Sequence, residues 1–164
     1  MQQAPNTAIP HAVTAAAPDS KIANGWMHTA KFLTTAPTLQ FLPQLELPEI
    51  AFVGRSNVGK SSCINTLTQQ HRLAFASKTP GRTQAINLFT LGKQGIPDAV
   101  LADLPGYGYA ATSREVRQHW EALVQEYLTR RTLAEIFFLL DPRRAAKLPA
   151  EDQTLLISLA KRRP

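Results

Sequence analysis

The first twenty residues, Met1 to Ser20, mix Ala, Pro, Thr and Gln with no hydrophobic period. Such a segment buries too little surface to offset the entropy of ordering, so a disordered leader is predicted over 1–20. Residues 21–47 scatter Trp26, Phe32, Leu33, Leu39, Phe41, Leu42 and Leu45 among polar positions, interrupted by Pro37 and Pro43. That pattern predicts an irregular N-terminal arm laid against a domain. The domain itself, 48–164, opens with Glu49 to Val53, a short buried strand running into a glycine-rich turn. Lys60 to Gln69 reads as a helix with Cys63, Ile64 and Leu67 on one face. Gln84 to Leu91 and Ala99 to Asp103 read as strands separated by a turn at Gly92 to Gly95, which predicts a hairpin.

The strongest helical period lies between Thr112 and Arg131, where Val116, Trp120, Leu123, Val124, Tyr127 and Leu128 recur on one stripe. Its polar start and its Arg130–Arg131 end suit the helix dipole, and the aromatic stripe is predicted to be core. Ile136 to Leu140 is an unbroken apolar run closed by Asp141-Pro142, the pattern of a central parallel strand covered on both faces. Ala150 to Arg162 follows as a helix with Leu155, Leu156 and Leu159 inward. Strands alternating with helices after a glycine turn predict a doubly wound α/β sheet.

Composition narrows the class. The chain has 164 residues, 44% of them hydrophobic and 18% charged, in the range of a globular domain. Its formal net charge is +6, all of it beyond residue 47, so the basicity belongs to the folded part. A basic surface attracts phosphate backbones, although solvated Lys and Arg are also ordinary surface. Cys63 is the single cysteine, which excludes an intramolecular disulfide and a cysteine-based metal cluster. No apolar run approaches the roughly 18 residues that span a bilayer, and the first residues lack the basic start and apolar core of a secretory signal. A cytoplasmic location without membrane attachment is expected. His11, His28, His71 and His119 are isolated in sequence and are assigned to no metal or catalytic role.

Gly54-Arg-Ser-Asn-Val-Gly-Lys-Ser61 satisfies G-x-x-x-x-G-K-[ST] and sits between a predicted strand and a predicted helix. In such a loop the glycines let backbone N–H groups turn toward phosphate oxygens, and the following helix contributes its positive end. Lys60 then reaches the terminal phosphates and the Ser61 hydroxyl ligates Mg²⁺. Asp103-Leu-Pro-Gly106 closes the second hydrophobic strand, the position where a carboxylate meets the Mg²⁺ and a glycine amide meets the γ-phosphate. Between the two motifs, Lys78-Thr-Pro-Gly-Arg-Thr-Gln84 is too polar for core. It places Thr83 to supply a second hydroxyl to Mg²⁺ once a triphosphate orders the loop.

The segments GRSNVGKSS at 54–62, SKTPGRTQAINLF at 77–89 and DLPGYGYA at 103–110 together resemble the EngB family of GTPases, with the resemblance running from about Phe32 to the end of the chain. The resemblance implies a Ras-like, TRAFAC-type P-loop NTPase fold. It implies a bacterial, cytoplasmic, monomeric GTP-binding protein of large-ribosomal-subunit assembly, linked to cell division and septation, with rRNA and ribosomal proteins of the precursor particle as partners. On the family's pattern Gly54, Arg55, Ser56, Asn57, Val58, Gly59, Lys60, Ser61 and Ser62 hold the phosphates of GTP or GDP. Gly81, Arg82, Thr83 and Gln84 close over the nucleotide, and Asp103, Leu104, Pro105 and Gly106 sense the γ-phosphate. Mg²⁺ falls to Ser61, Thr83 and Asp103, and Lys60, Thr83 and Gly106 form the catalytic set.

Two details bear on turnover. Tyr107 follows the D-x-x-G glycine where Ras and Gα proteins carry a water-orienting Gln, so slow intrinsic hydrolysis accelerated by a partner is expected. Asn57 resembles the asparagine by which related GTPases hold a K⁺ ion near the phosphates, a charge that could replace an arginine finger.

The sequence departs from the pattern in one respect: no N/T-K-x-D base-reading motif follows the third helix, and Ser158-Leu-Ala-Lys161 lies inside that helix. The expectation is a truncated domain whose C-terminal strands and helices are missing, with GTP and ATP bound similarly and Ile136 to Leu140 left as an apolar sheet edge. The competing readings are a P-loop ATPase or small-molecule kinase, against which the T-P-G-R-T-Q segment argues, and a non-hydrolysing nucleotide- or RNA-binding remnant. The latter would use Arg114, Arg117, Arg130, Arg131, Arg143 and Arg144, which equally suit a solvated face.

Overall fold

The structure, a computed structural model, describes residues 19–75, 85–108, 113–130, 133–144 and 147–160, the side chains of 117, 130 and 144 excepted. The elements in chain order are α1 (Ser20–Met27), β1 (Lys31–Ala36), β2 (Glu49–Gly54), α2 (Lys60–Thr68), β3 (Ile86–Leu91), β4 (Ala99–Asp103), α3 (Arg114–Arg130), β5 (Leu133–Leu139) and α4 (Ala150–Ala160). Five strands form one sheet in the order β1-β3-β4-β2-β5. β2 runs parallel to both β4 and β5, while β3 is antiparallel to β4 and β1 antiparallel to β3. The hairpin read over Gln84 to Asp103 is present from Ile86 to Asp103, its turn at Gly92 to Gly95, while Gln84 lies outside the described residues.

Alternation along the strands divides the core into two layers. Ala51, Val53, Val100 and Ala102 face one way and pack with Leu123, Val124, Tyr127 and Leu128 of α3 and Leu155 of α4. Phe52, Ala99 and Leu101 face the other way and pack with Ile64 of α2, with Trp26 and Met27 of α1 against them. Helices thus cover both faces, as the alternating pattern predicts. The stripe on α3 is core apart from Val116, which is exposed near the helix start.

The segment read as an irregular arm contains two regular elements. Asp19 caps α1, its side chain accepting from the Lys21 amide at 2.9 Å, and β1 supplies the sheet's antiparallel edge. β1 shows no alternation because only Ala36 is buried and the register shifts between Phe32 and Thr34. On α2 the buried stripe is Lys60, Ile64 and Thr68, spaced four apart, and Leu67 points to solvent rather than inward. Ile136 to Leu139 belong to a strand that starts earlier, Leu133–Leu139, with Leu140 just past its end, and among the described residues it pairs only with β2. Among the described residues it is the apolar sheet edge expected for Ile136 to Leu140, and Phe137 is half exposed there, meeting Phe52 in a stacked pair 5.3 Å apart.

Candidate functional site

β2 ends at Gly54 between β4 and β5, so the chain leaves the sheet at the carboxyl ends of three parallel strands. In open α/β sheets ligands bind at that edge. The loop turns through left-handed backbone at Asn57 (φ 62°) and Gly59 (φ 103°) and enters α2 at Lys60. Asn tolerates this conformation because its short side chain bonds locally. The first amides of α2 have no intrahelical acceptor, and they sit at the helix's positive end.

Lys60 is buried, and its Nζ donates to the carbonyls of Gly54 and Arg55, each at 3.2 Å. The ammonium therefore lies beneath the 54–59 loop. Burial lowers its pKa, against the opposing charge of Asp103. Asp103 is the last residue of β4, and its Oδ2 accepts from the Ser61 hydroxyl at 2.6 Å. Burial raises the pKa of this carboxyl, opposed by the Ser61 hydrogen bond and the charge of Lys60. Its second oxygen, Oδ1, is buried without a hydrogen-bond partner. A buried acceptor of this kind is costly unless something satisfies it, and a divalent cation does so.

Gly106 lies directly against the loop. A Cβ there would fall 2.6 Å from Ser56 Cα, 2.8 Å from Ser56 N and 3.0 Å from Lys60 Nζ, so only glycine fits. The Ser56 amide donates to the Tyr107 carbonyl at 2.8 Å, which joins the two motifs through the backbone. Loop 54–59, the first turn of α2 and residues 103–106 are thus brought together, as their order in the sequence predicts. Leu104 is fully buried among the α3-side core residues, so its contribution to a ligand is limited to its backbone. Arg55 turns away from the loop toward α4, where its guanidinium meets Glu151 and Asp152. Gly81, Arg82, Thr83 and Gln84 lie outside the described residues.

The donor set fits Mg²⁺. Among the described residues no group of three or more His, Cys, Asp or Glu is placed to hold a metal. One carboxylate, one hydroxyl and phosphate oxygens suit a hard, partly hydrated cation of this type. Tyr107 is buried, its hydroxyl making no hydrogen bond of ordinary geometry, although Asp152 lies beside it. Burial, reinforced by Asp152, pushes the phenol well above its ordinary pKa. The sequence missed the part played by Glu151 and Asp152, since acids in a first helical turn read as dipole partners.

Comparisons with known proteins agree with this geometry. Residues 49–163 match the family described as 50S ribosome-binding GTPase. The chain is 67% identical over 135 residues to the probable GTP-binding protein EngB of Polaromonas sp. (strain JS666), a match covering 82% of this chain and 55% of that protein. It is 67% identical over 123 residues to the protein of the same name from Albidiferax ferrireducens, covering 74% of this chain and 59% of that protein. The corresponding Paraburkholderia phytofirmans protein is 54% identical over 119 residues, covering 72% of this chain and 55% of its own length. The chain spans about half the length of the curated relatives it matches. No helix among the described residues is long and apolar enough to cross a membrane. With a family match running from β2 through α4, and with loop 54–61 and residues 103–106 assembled at one sheet edge, the chain belongs to the 50S ribosome-binding GTPase family.

Proposed function

We propose that this chain is a GTP-binding switch acting in the cytoplasm on precursors of the bacterial large ribosomal subunit, in a role linked to cell division and septation. The observation that carries the nucleotide part is the Ser61–Asp103 hydrogen bond of 2.6 Å, which puts a hydroxyl and a half-satisfied carboxylate beside the buried Lys60. Those three groups are what a magnesium-bound polyphosphate requires. Mg²⁺ would be held by Ser61 and Asp103, joined by Thr83 from outside the described residues, and when bound it neutralises charge on the phosphates. The ribosomal part is supported by the description of the matching family, 50S ribosome-binding GTPase, and by the surplus of +6 charges, which suits an RNA-rich particle.

Tyr107 supports slow intrinsic turnover. Its ring is buried and its hydroxyl faces Asp152, so it is not available to orient an attacking water. A partner that moves the 103–108 segment would then accelerate hydrolysis. A K⁺ ion near Asn57, whose side chain is exposed at the loop apex, would supply positive charge in the transition state.

Calorimetric titration tests the reading. Mg²⁺–GTP and Mg²⁺–GDP are expected to bind, and Lys60→Ala to weaken both by more than about tenfold, or about 1.4 kcal/mol. Co-sedimentation with large-subunit precursors should fall as salt rises. Exchange of Na⁺ for K⁺ should speed hydrolysis when such particles are present. Absence of heat with every nucleotide would sink the proposal.

A further inference from the structure

Arg55 belongs to the phosphate loop, yet its side chain joins two other segments. Nη1 donates to Glu151 Oε2 at 2.9 Å and lies 3.5 Å from Asp152 Oδ1, both in the first turn of α4. Nη2 donates to the Gly108 carbonyl at 3.1 Å, and the Tyr107 ring centroid is 5.9 Å from Cζ. Burial works against the guanidinium charge, but the Glu151 hydrogen bond and the two carboxylates outweigh it and hold the pKa above the ordinary value. Asp152 is only 3% exposed, whereas an acid placed for the helix dipole alone would stay in water. Its burial is accounted for by Arg55 and Tyr107 rather than by the helix end.

We propose that Arg55 is a positioning residue that carries the state of the 103–108 segment to α4, an inference resting on the nucleotide-switch reading above. Gly106 packs against Lys60 and Ser56, and the Tyr107 carbonyl takes the Ser56 amide. A terminal phosphate draws on the same ammonium and the same loop. Its anionic oxygens bond more strongly than the two neutral carbonyls that Lys60 now contacts. As Gly106 turns to the phosphate, Tyr107 and Gly108 shift, and Arg55, bonded to the Gly108 carbonyl, is drawn away from Glu151 and Asp152. The first turn of α4 then loosens in the triphosphate state and tightens in the diphosphate state.

Hydrogen exchange at the α4 amides of the 164-residue chain tests this, comparing Mg²⁺–GDP with a Mg²⁺-bound non-hydrolysable GTP analogue, each at occupancy verified by calorimetry. Exchange in α4 is expected to be about fivefold faster with the analogue. The double variant Glu151→Gln/Asp152→Asn, with its fold checked by circular dichroism, is expected to show one rate for both nucleotides. Equal rates in the unmodified chain with the analogue bound would overturn the coupling while leaving the nucleotide site intact. A difference that survives in the folded double variant would overturn the Arg55 route. Failure of either nucleotide to bind would remove the underlying reading, and this inference with it.

Discussion

Ser61 and Asp103 are 42 residues apart in sequence, and the Ser61 hydroxyl donates to the Asp103 carboxylate at 2.6 Å across the parallel ends of β2 and β4. Ser61→Ala removes that donor from a carboxylate that is already buried and half-satisfied. It also removes a proposed Mg²⁺ ligand, so affinity for Mg²⁺–GDP should fall by about 10- to 100-fold, or about 1.4–2.8 kcal/mol. Binding measured in excess chelator should change far less. Titration with and without Mg²⁺ checks the difference.

Gly106→Ala tests the close approach of the two motifs. The new methyl group meets the backbone of Ser56 at 2.6 Å from Cα, and backbone does not yield as a flexible side chain would. Overpacking of this kind costs about 1–3 kcal/mol. Thermal unfolding should move down by about 2–4 °C for each kcal/mol lost. A melting temperature equal to that of the unmodified chain would contradict the packing described.

Tyr127→Phe bears on the core rather than on the site. Tyr127 is fully buried on α3, and its hydroxyl donates to Glu49 Oε2 at 2.5 Å at the start of β2. Removing the hydroxyl strips a hydrogen bond from a carboxylate that is itself 2% exposed. Urea unfolding should report a loss of about 1.5–3 kcal/mol, and combining Tyr127→Phe with Glu49→Gln should cost less than the two singles added.

The convergence of loop 54–61 with Asp103 was legible because its pattern is local. A strand, a glycine turn and a Lys-Ser pair are contiguous in sequence, and Asp103 announces itself as the polar end of an apolar strand. Periodicity also found α3, whose stripe from Trp120 to Leu128 is continuous. It failed where burial is sparse. β1 hides because a single alanine is buried along six residues, and α1 is eight residues long with Gly25 inside it and nothing fully buried. On α2 the chemistry overrode hydrophobicity: Lys60 takes the inner stripe and Leu67 is turned out. The ties from Arg55 to Glu151 and Asp152 span more than 90 residues and carry no spacing a linear reading would register.

Trp26 offers an optical report on the N-terminal segment. Its indole Nε1 donates to Asp98 Oδ1 at 2.7 Å, tying α1 to the turn between β3 and β4. The chain's other tryptophan, Trp120, is buried in α3, so a change in emission caused at Asp98 belongs to Trp26. Asp98→Ala should red-shift the emission as the indole gains water. It should destabilise the chain by about 0.5–1.5 kcal/mol, the net worth of one hydrogen bond that solvent partly replaces. Asp98→Asn keeps an acceptor at the same place and should preserve most of the spectrum. An Asp98→Ala spectrum identical to that of the unmodified chain would mean that α1 is held by Trp26 and Met27 packing against the α2-side core alone.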